Sequence, residues 1–287
     1  MRKTLRVLIT LAVVAAAVAA GLWLWRYYLY SPWTRDARVG ADIITVAPDV
    51  SGRVIALAVD DNDHVEKGQV LFRIDDARYQ AALAKASAIV AQREAELALK
   101  EHEASRREQL SRQAISAENR ESANRDRDVA AAALDQARSD LTSARLDLER
   151  TEVTAPAPGH LINLKLTQGN YVNRGTSVMA LVVEDSYYVT AYFEETKRPA
   201  LAVGDPAKVI LMSGNLELDG HVDSIGRAIA NDNATPNDQL LPQVEPTFSW
   251  VRLAQRIPVR IALDEVPTNL DLSAGMTATV RVRPESR

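Results

Sequence analysis

The chain has 287 residues, with 34 Lys+Arg against 38 Asp+Glu and a net charge of -4, so it lacks the basic footprint of a nucleic-acid-binding domain. With no Cys it has no disulfide framework, zinc ribbon, iron–sulfur cluster or thiol nucleophile. Hydrophobic residues reach 47% but aromatics only 5%, so Ala, Val and Leu carry the apolar content and their placement decides the fold.

No side chain from Val7 to Trp25 is charged. At about 1.5 Å per residue this run covers most of a ~30 Å hydrocarbon core, which predicts one transmembrane helix within residues 1–30. Arg2, Lys3 and Arg6 precede it, which predicts a cytoplasmic N-terminus with the rest of the chain outside. The small residues Ala15–Ala20 would also suit a cleaved signal peptide. The apolar run continues past them, however, into Trp23, Trp25, Tyr27, Tyr28 and Trp33, the expected aromatic anchors at the membrane interface. Residues 31–46 follow as a membrane-proximal strand segment, with strand character at Ala41–Val46.

Comparing the sequence with itself exposes a repeat. Ala47-Pro48 leads to Gly52, with Val65 thirteen residues later, Gly68 sixteen later, then Val70–Ile74 and Asp75-Asp76. Ala155-Pro156 leads to Gly159, with Val172 and Gly175 at the same offsets, then Val178–Val183 and Glu184-Asp185. Each copy, 47–76 and 151–185, reads as short strands separated by turns. Gly52, Gly68, Gly159 and Gly175 suit positions where a side chain would clash or φ is positive. Neither half can bury a core alone, so the two should close into one small β-sandwich.

Between the copies, Ala77–Glu149 contains neither Gly nor Pro and is rich in Ala, Leu, Glu, Gln and Arg, which predicts helix throughout. Ala123, Ala130, Ala137 and Ala144 recur every seven residues, with Leu134, Leu141 and Leu148 in the companion row. Leu83, Val90, Leu97 and Ala104 do the same earlier, while Arg93, Lys100 and Arg107 interrupt their companion row. These are heptad seams. A break near Gln113–Ser116, with Ser116 as a cap, divides 77–150 into an antiparallel hairpin of two helices, each ~50 Å long. The dense charge near its turn reads first as a solvated surface.

From Tyr187 the pattern changes to short β-rich runs at Tyr187–Phe193, Ala207–Met212, Gly220–Ile225, Val259–Leu263 and Thr277–Val282, punctuated by Gly-containing turns. They predict a small β-barrel over 186–265. Asn231–Gln239 reads as a loop.

The motifs A-P-x-x-x-G-x-V and V-x-K-G-x-x-L, with counterparts in the second copy, resemble lipoyl-like halves. Split by a long helical hairpin behind one N-terminal anchor, they resemble the periplasmic adaptor family of efflux pumps (membrane fusion proteins, HlyD-type). Ser31–Arg38, Ala47–Gly52, Ala191–Lys197 and Trp250–Arg260 are similar to the adaptors of p-hydroxybenzoic acid (aromatic carboxylic acid) efflux pumps. Phe193 and Trp250 also have a plain reading as barrel filling. The resemblance implies an elongated, mixed α and β multidomain fold: an N-terminal transmembrane helix, a long α-helical hairpin inserted in a lipoyl-like β-sandwich, a small β-barrel, and a membrane-proximal β domain from both chain ends, including 266–287. It implies a homo-oligomer, trimer or hexamer, working with an inner-membrane aromatic-acid exporter and reaching an outer-membrane channel. It also implies hairpin-tip docking through Arg106, Leu110 and Ser116, with the Leu-to-Ser spacing one residue shorter than the family pattern. It implies, too, that the exporter supplies the energy. An adaptor for a multidrug or ATP-driven exporter is the alternative within transport.

A lipoyl or biotinyl carrier is the reading from another class, but the carrier tripeptides D-K-A and M-K-M are both absent. No G-x-S-x-G, P-loop or dinucleotide fingerprint occurs, and His64, His102, His160 and His221 show no metal-ligand spacing. Asp60-Asp61 and Asp75-Asp76 read as turn and helix-cap residues. Neither catalytic residues, a metal nor a cofactor is expected, and the chain is not read as an enzyme.

Overall fold

The computed structural model describes residues 10–21, 31–109, 116–214, 216–229, 254–267 and 270–284. Residues 10–21 form helix α1, and no helix among the described residues is long and apolar enough to cross a membrane. The remainder divides into two compact units, one built from Ile43–Glu184 and the other from the flanking segments.

In the first unit the two halves of the repeat do close into one sandwich. One sheet runs β6-β5-β3-β8, from β3 (Gly52–Leu57), β5 (Val70–Ile74), β6 (Glu152–Thr154) and β8 (Tyr171–Val172). The other runs β2-β9-β7-β4, from β2 (Ile43–Val46), β4 (His64–Val65), β7 (Gly159–Ile162) and β9 (Met179–Val183). Equivalent strands of the two halves take equivalent places, and each half lends its two-residue strand to the other's sheet. Gly52 thus pairs with Val172, and Gly159 pairs with Val65. The shared core contains Val54, Val65, Leu71, Phe72, Ile74, Leu161 and Leu181, each with at most 1% exposure. Burial of such side chains is worth about 1.5–3 kcal/mol apiece before chain entropy is charged against it.

The hairpin leaves this sandwich between β5 and β6 as α2 (Ala77–Gln109) and α3 (Ala117–Glu149). Asp75 Oδ1 accepts the Ala77 N–H at 3.1 Å, so this carboxylate caps the start of α2 as its position predicts. At the base, Arg78 Nη2 and Tyr79 Oη both donate to the Ser51 carbonyl, at 2.7 and 2.8 Å. The hydrogen bond to Tyr79 raises the Arg78 pKa further. Ala86 and Ala104 of α2 and Ala123, Ala130, Leu134 and Ala137 of α3 are buried in the seam. Arg93, Lys100 and Arg107 sit half-buried in the same row, their stems covering apolar surface. Arg138 to Glu94 at 3.1 Å ties the helices on one flank.

The second unit is a closed six-stranded barrel, β1-β10-β13-β12-β11-β14. Its strands are β1 (Trp33–Gly40), β10 (Tyr188–Glu194), β11 (Pro206–Leu211), β12 (Glu217–Ile225), β13 (Arg256–Leu263) and β14 (Thr277–Val282). Alternate side chains such as Val189, Ala191 and Phe193 face inward, and Phe193 is fully buried. This corrects the expectation of a barrel confined to 186–265 beside a separate domain from the chain ends. Four strands from that span leave two open edges; β1 and β14 pair with each other and with β10 and β11, which removes both. The segment 31–46 divides accordingly, with β1 in the barrel and β2 in the sandwich.

Candidate functional site

Each unit presents one candidate surface. On the first it is the hairpin, whose helices of 33 residues each reach ~50 Å beyond the sandwich. Of the expected tip residues, Arg106 is exposed in the last turn of α2, and Leu110 lies outside the described residues. Ser116 is the N-cap of α3, its Oγ accepting the Asn119 N–H at 3.3 Å. Ser116→Ala should therefore lower stability by about 1 kcal/mol, read as a shift in the urea midpoint, and loosen the first turn of α3 in hydrogen exchange. Nearby, Arg107 Nη1 donates to the Asn119 carbonyl at 3.3 Å and so links the two helices close to the turn.

The repeat glycines hold this platform together. Gly68 and Gly175 are turn residues with φ of +84° and +75°, whereas Gly52 and Gly159 are sites of close approach. A Cβ on Gly52 would lie 2.5 Å from Ile74 Cγ2, and one on Gly159 would lie 2.0 Å from the Val182 carbonyl oxygen.

The second surface is a cleft of about 580 Å³ at the end of the barrel where β1 and β13 begin and β10 ends. Three segments singled out in the sequence for their specificity converge there: Trp33 to Asp36, Tyr192 to Lys197, and Ala254 with Arg256. Thr34 Oγ1 donates to the Tyr192 carbonyl at 2.8 Å. Lys197 Nζ donates to the Trp33 carbonyl at 3.1 Å and lies 5.4 Å from the centroid of its ring, while Arg35 Cζ lies 5.4 Å from the same ring. Arg256 is paired with Asp36. Of the expected interface anchors, Trp33 is thus the first residue of the barrel, and Trp23, Trp25, Tyr27 and Tyr28 lie outside the described residues. The uncharged run Val7–Trp25 expected to anchor the chain, the expected loop Asn231–Gln239 and Trp250 fall wholly or partly outside them as well.

Two histidines that are distant in the sequence meet in the fold. His64 and His160, 96 positions apart, are direct cross-strand partners with ring centroids 5.1 Å apart, and Glu184 Oε2 lies 3.3 Å from His64 Nε2. The signal was available: both flank matched positions of the repeat, Val65 and Gly159, which the strand exchange joins. Among the described residues no group of three or more His, Cys, Asp or Glu could hold a metal ion. Asp63 Oδ2 accepts the Asp60 N–H within a turn, whereas Asp61 Oδ1 accepts the Leu164 N–H from the other half of the repeat.

A lipoyl-like sandwich interrupted by a helical hairpin, together with a β-barrel, is the architecture of membrane fusion proteins. The model of the "AAEA-like beta-barrel domain" matches residues 186–283, and that of the "pHBA AAEA subunit, alpha-helical hairpin domain" matches residues 77–149. Protein YdhJ of Escherichia coli (strain K12), described as uncharacterized, is 42% identical over 280 residues, covering 98% of each chain. Among solved structures, the membrane fusion protein Spr0693 of Streptococcus pneumoniae R6 shares the fold with a TM-score of 0.64 at 18% identity, covering 89% of this chain and 100% of that one. A MacA-MexA chimera carrying the Pseudomonas aeruginosa MexA α-hairpin domain gives 0.59 at 20%, covering 89% and 83%. The chain belongs to the AAEA-like family of adaptors, the membrane fusion proteins of efflux systems. Such adaptors are non-enzymatic components of transporters.

Proposed function

We propose that this chain is the adaptor of a pump that exports aromatic carboxylic acids such as p-hydroxybenzoate, anchored in the inner membrane by one N-terminal helix with its bulk in the periplasm. The observation that carries the substrate class is the match of residues 77–149 to the hairpin of a pHBA subunit. The uncharged run Val7–Trp25, flanked by Arg2, Lys3 and Arg6, supports the anchor and its orientation. The work is geometric. The sandwich holds both ends of the hairpin, the hairpin spans distance, and a ring of three or six copies seals a conduit that one thin hairpin cannot. An inner-membrane exporter supplies the energy, and the hairpin tip, through Arg106, Leu110 and Ser116, docks an outer-membrane channel.

Deleting the gene should sensitise cells to hydroxybenzoates while leaving sensitivity to unrelated dyes unchanged. Sensitisation to dyes alone would assign the chain to a multidrug exporter instead. Arg106→Glu reverses a charge on an exposed turn of α2 and leaves the seam intact. It should cut tip-directed crosslinking to the outer-membrane channel several-fold, with unfolding of the purified protein unchanged. Undiminished crosslinking would remove Arg106 from the docking surface.

A further inference from the structure

The cleft at the end of the barrel has a chemistry that conduit building does not use. Among the described residues its charged lining is Arg35, Lys197 and Arg256 against Asp36 and Glu194, an excess of one positive charge. Asp36 is committed to Arg256. The Lys197 side chain is only 11% exposed, yet among the described residues its ammonium has one close acceptor, the Trp33 carbonyl at 3.1 Å, with Glu194 Oε2 at 3.8 Å. Arg35 is exposed and has no carboxylate within 4 Å among the described residues; it lies against the Trp33 ring. Two cations with donors to spare therefore each lie 5.4 Å from the centroid of one indole, in a cleft that Thr196 also lines. That set suits an oxyanion, which a guanidinium would bind as a fork and an ammonium as a point charge.

Chain reach selects which oxyanion. Trp33 follows Tyr30, the last Tyr of the interfacial belt, by three residues, and three residues span at most ~11 Å of extended chain. If the belt lies at the headgroups, the cleft is within reach of them whatever the orientation of the barrel. A Trp beside two cations is also a composition that partitions to a membrane–water interface.

We propose that this cleft binds the phosphate of an anionic phospholipid headgroup and so fixes the barrel against the membrane surface. The inference rests on the anchored reading of the N-terminus. The test uses the full chain in nanodiscs of equal parts phosphatidylglycerol and phosphatidylcholine, with retained lipid identified by native mass spectrometry. The wild-type chain should retain phosphatidylglycerol preferentially. Lys197→Gln and, separately, Arg35→Gln should each reduce that preference about fivefold, as expected for one surface cation. Arg35→Gln alters an exposed side chain and serves if Lys197→Gln unfolds the barrel. Equal retention of the two lipids, or a preference that both variants keep, overturns the proposal and returns any lipid selectivity to Arg2, Lys3 and Arg6. Displacement of the lipid by millimolar inorganic phosphate or hydroxybenzoate also overturns it, because the occupant is then a free anion. An alkaline carbonate wash separates the two failures: a chain that washes off membranes refutes the anchor, and one that stays without lipid preference refutes only the cleft.

Discussion

Leu141→Pro should abolish export while leaving the chain in the membrane fraction. Leu141 lies in the interior of α3, eight residues before its end, where proline removes one backbone hydrogen bond and drives its ring into the Ala137 carbonyl. The cost is about 3 kcal/mol or more, a large share of the stability of a two-helix seam built mostly from Ala and Leu. The damage should be greatest in the hairpin, because Leu141 is not part of the sandwich core, which the helices meet at their base through Tyr79 and Leu148. Circular dichroism should show lost helix, and hydrogen exchange should show protection retained in β3, β5, β7 and β9. Full export by a chain with a broken α3 would sink the idea that the hairpin acts as a rigid spacer.

Gly159→Ala should have the larger effect on folding. The added methyl would stand 2.0 Å from the Val182 carbonyl oxygen and 3.2 Å from the Glu184 nitrogen, both backbone atoms that no rotamer change can move. Relief requires β7 and β9 to part, costing the overpacking strain and the hydrogen bonds between them, together about 3–5 kcal/mol. Gly175→Ala is the internal control. Its Cβ would meet open space, so only the left-handed backbone at φ +75° is penalised, at about 1–2 kcal/mol. The gap between the two urea midpoints measures how tightly the repeat closes; equal midpoints would mean that β7 and β9 do not approach as described. Because α2 follows β5 and α3 precedes β6, a sandwich that fails to close should also release the hairpin from its base.

Much of this was legible because it is written in local periods. A seven-residue recurrence of Ala and Leu needs only neighbouring turns of helix to become a seam, and the hairpin occupies nearly the residues predicted for it. Ser116 could be read as a cap because capping is a contact over three residues. The shared offsets of thirteen and sixteen marked two copies of one unit without showing how they interlock. The cleft was visible only as three separate stretches, and the sequence offered packing as their simplest use. Phe193 fits that use; Lys197, held against Trp33 across 164 positions, does not.

The sequence by itself determined the helical hairpin and the repeated β unit, since each rests on local spacing. Only the tertiary structure decided that each half-repeat lends a strand to the other, that the two chain ends close the barrel, and that His64 meets His160. Those pairings join residues about 100 to 250 positions apart, where the choice of partner follows from which edges are left unpaired once the local elements exist. Local pattern cannot express that competition, and burial of backbone hydrogen-bonding groups settles it.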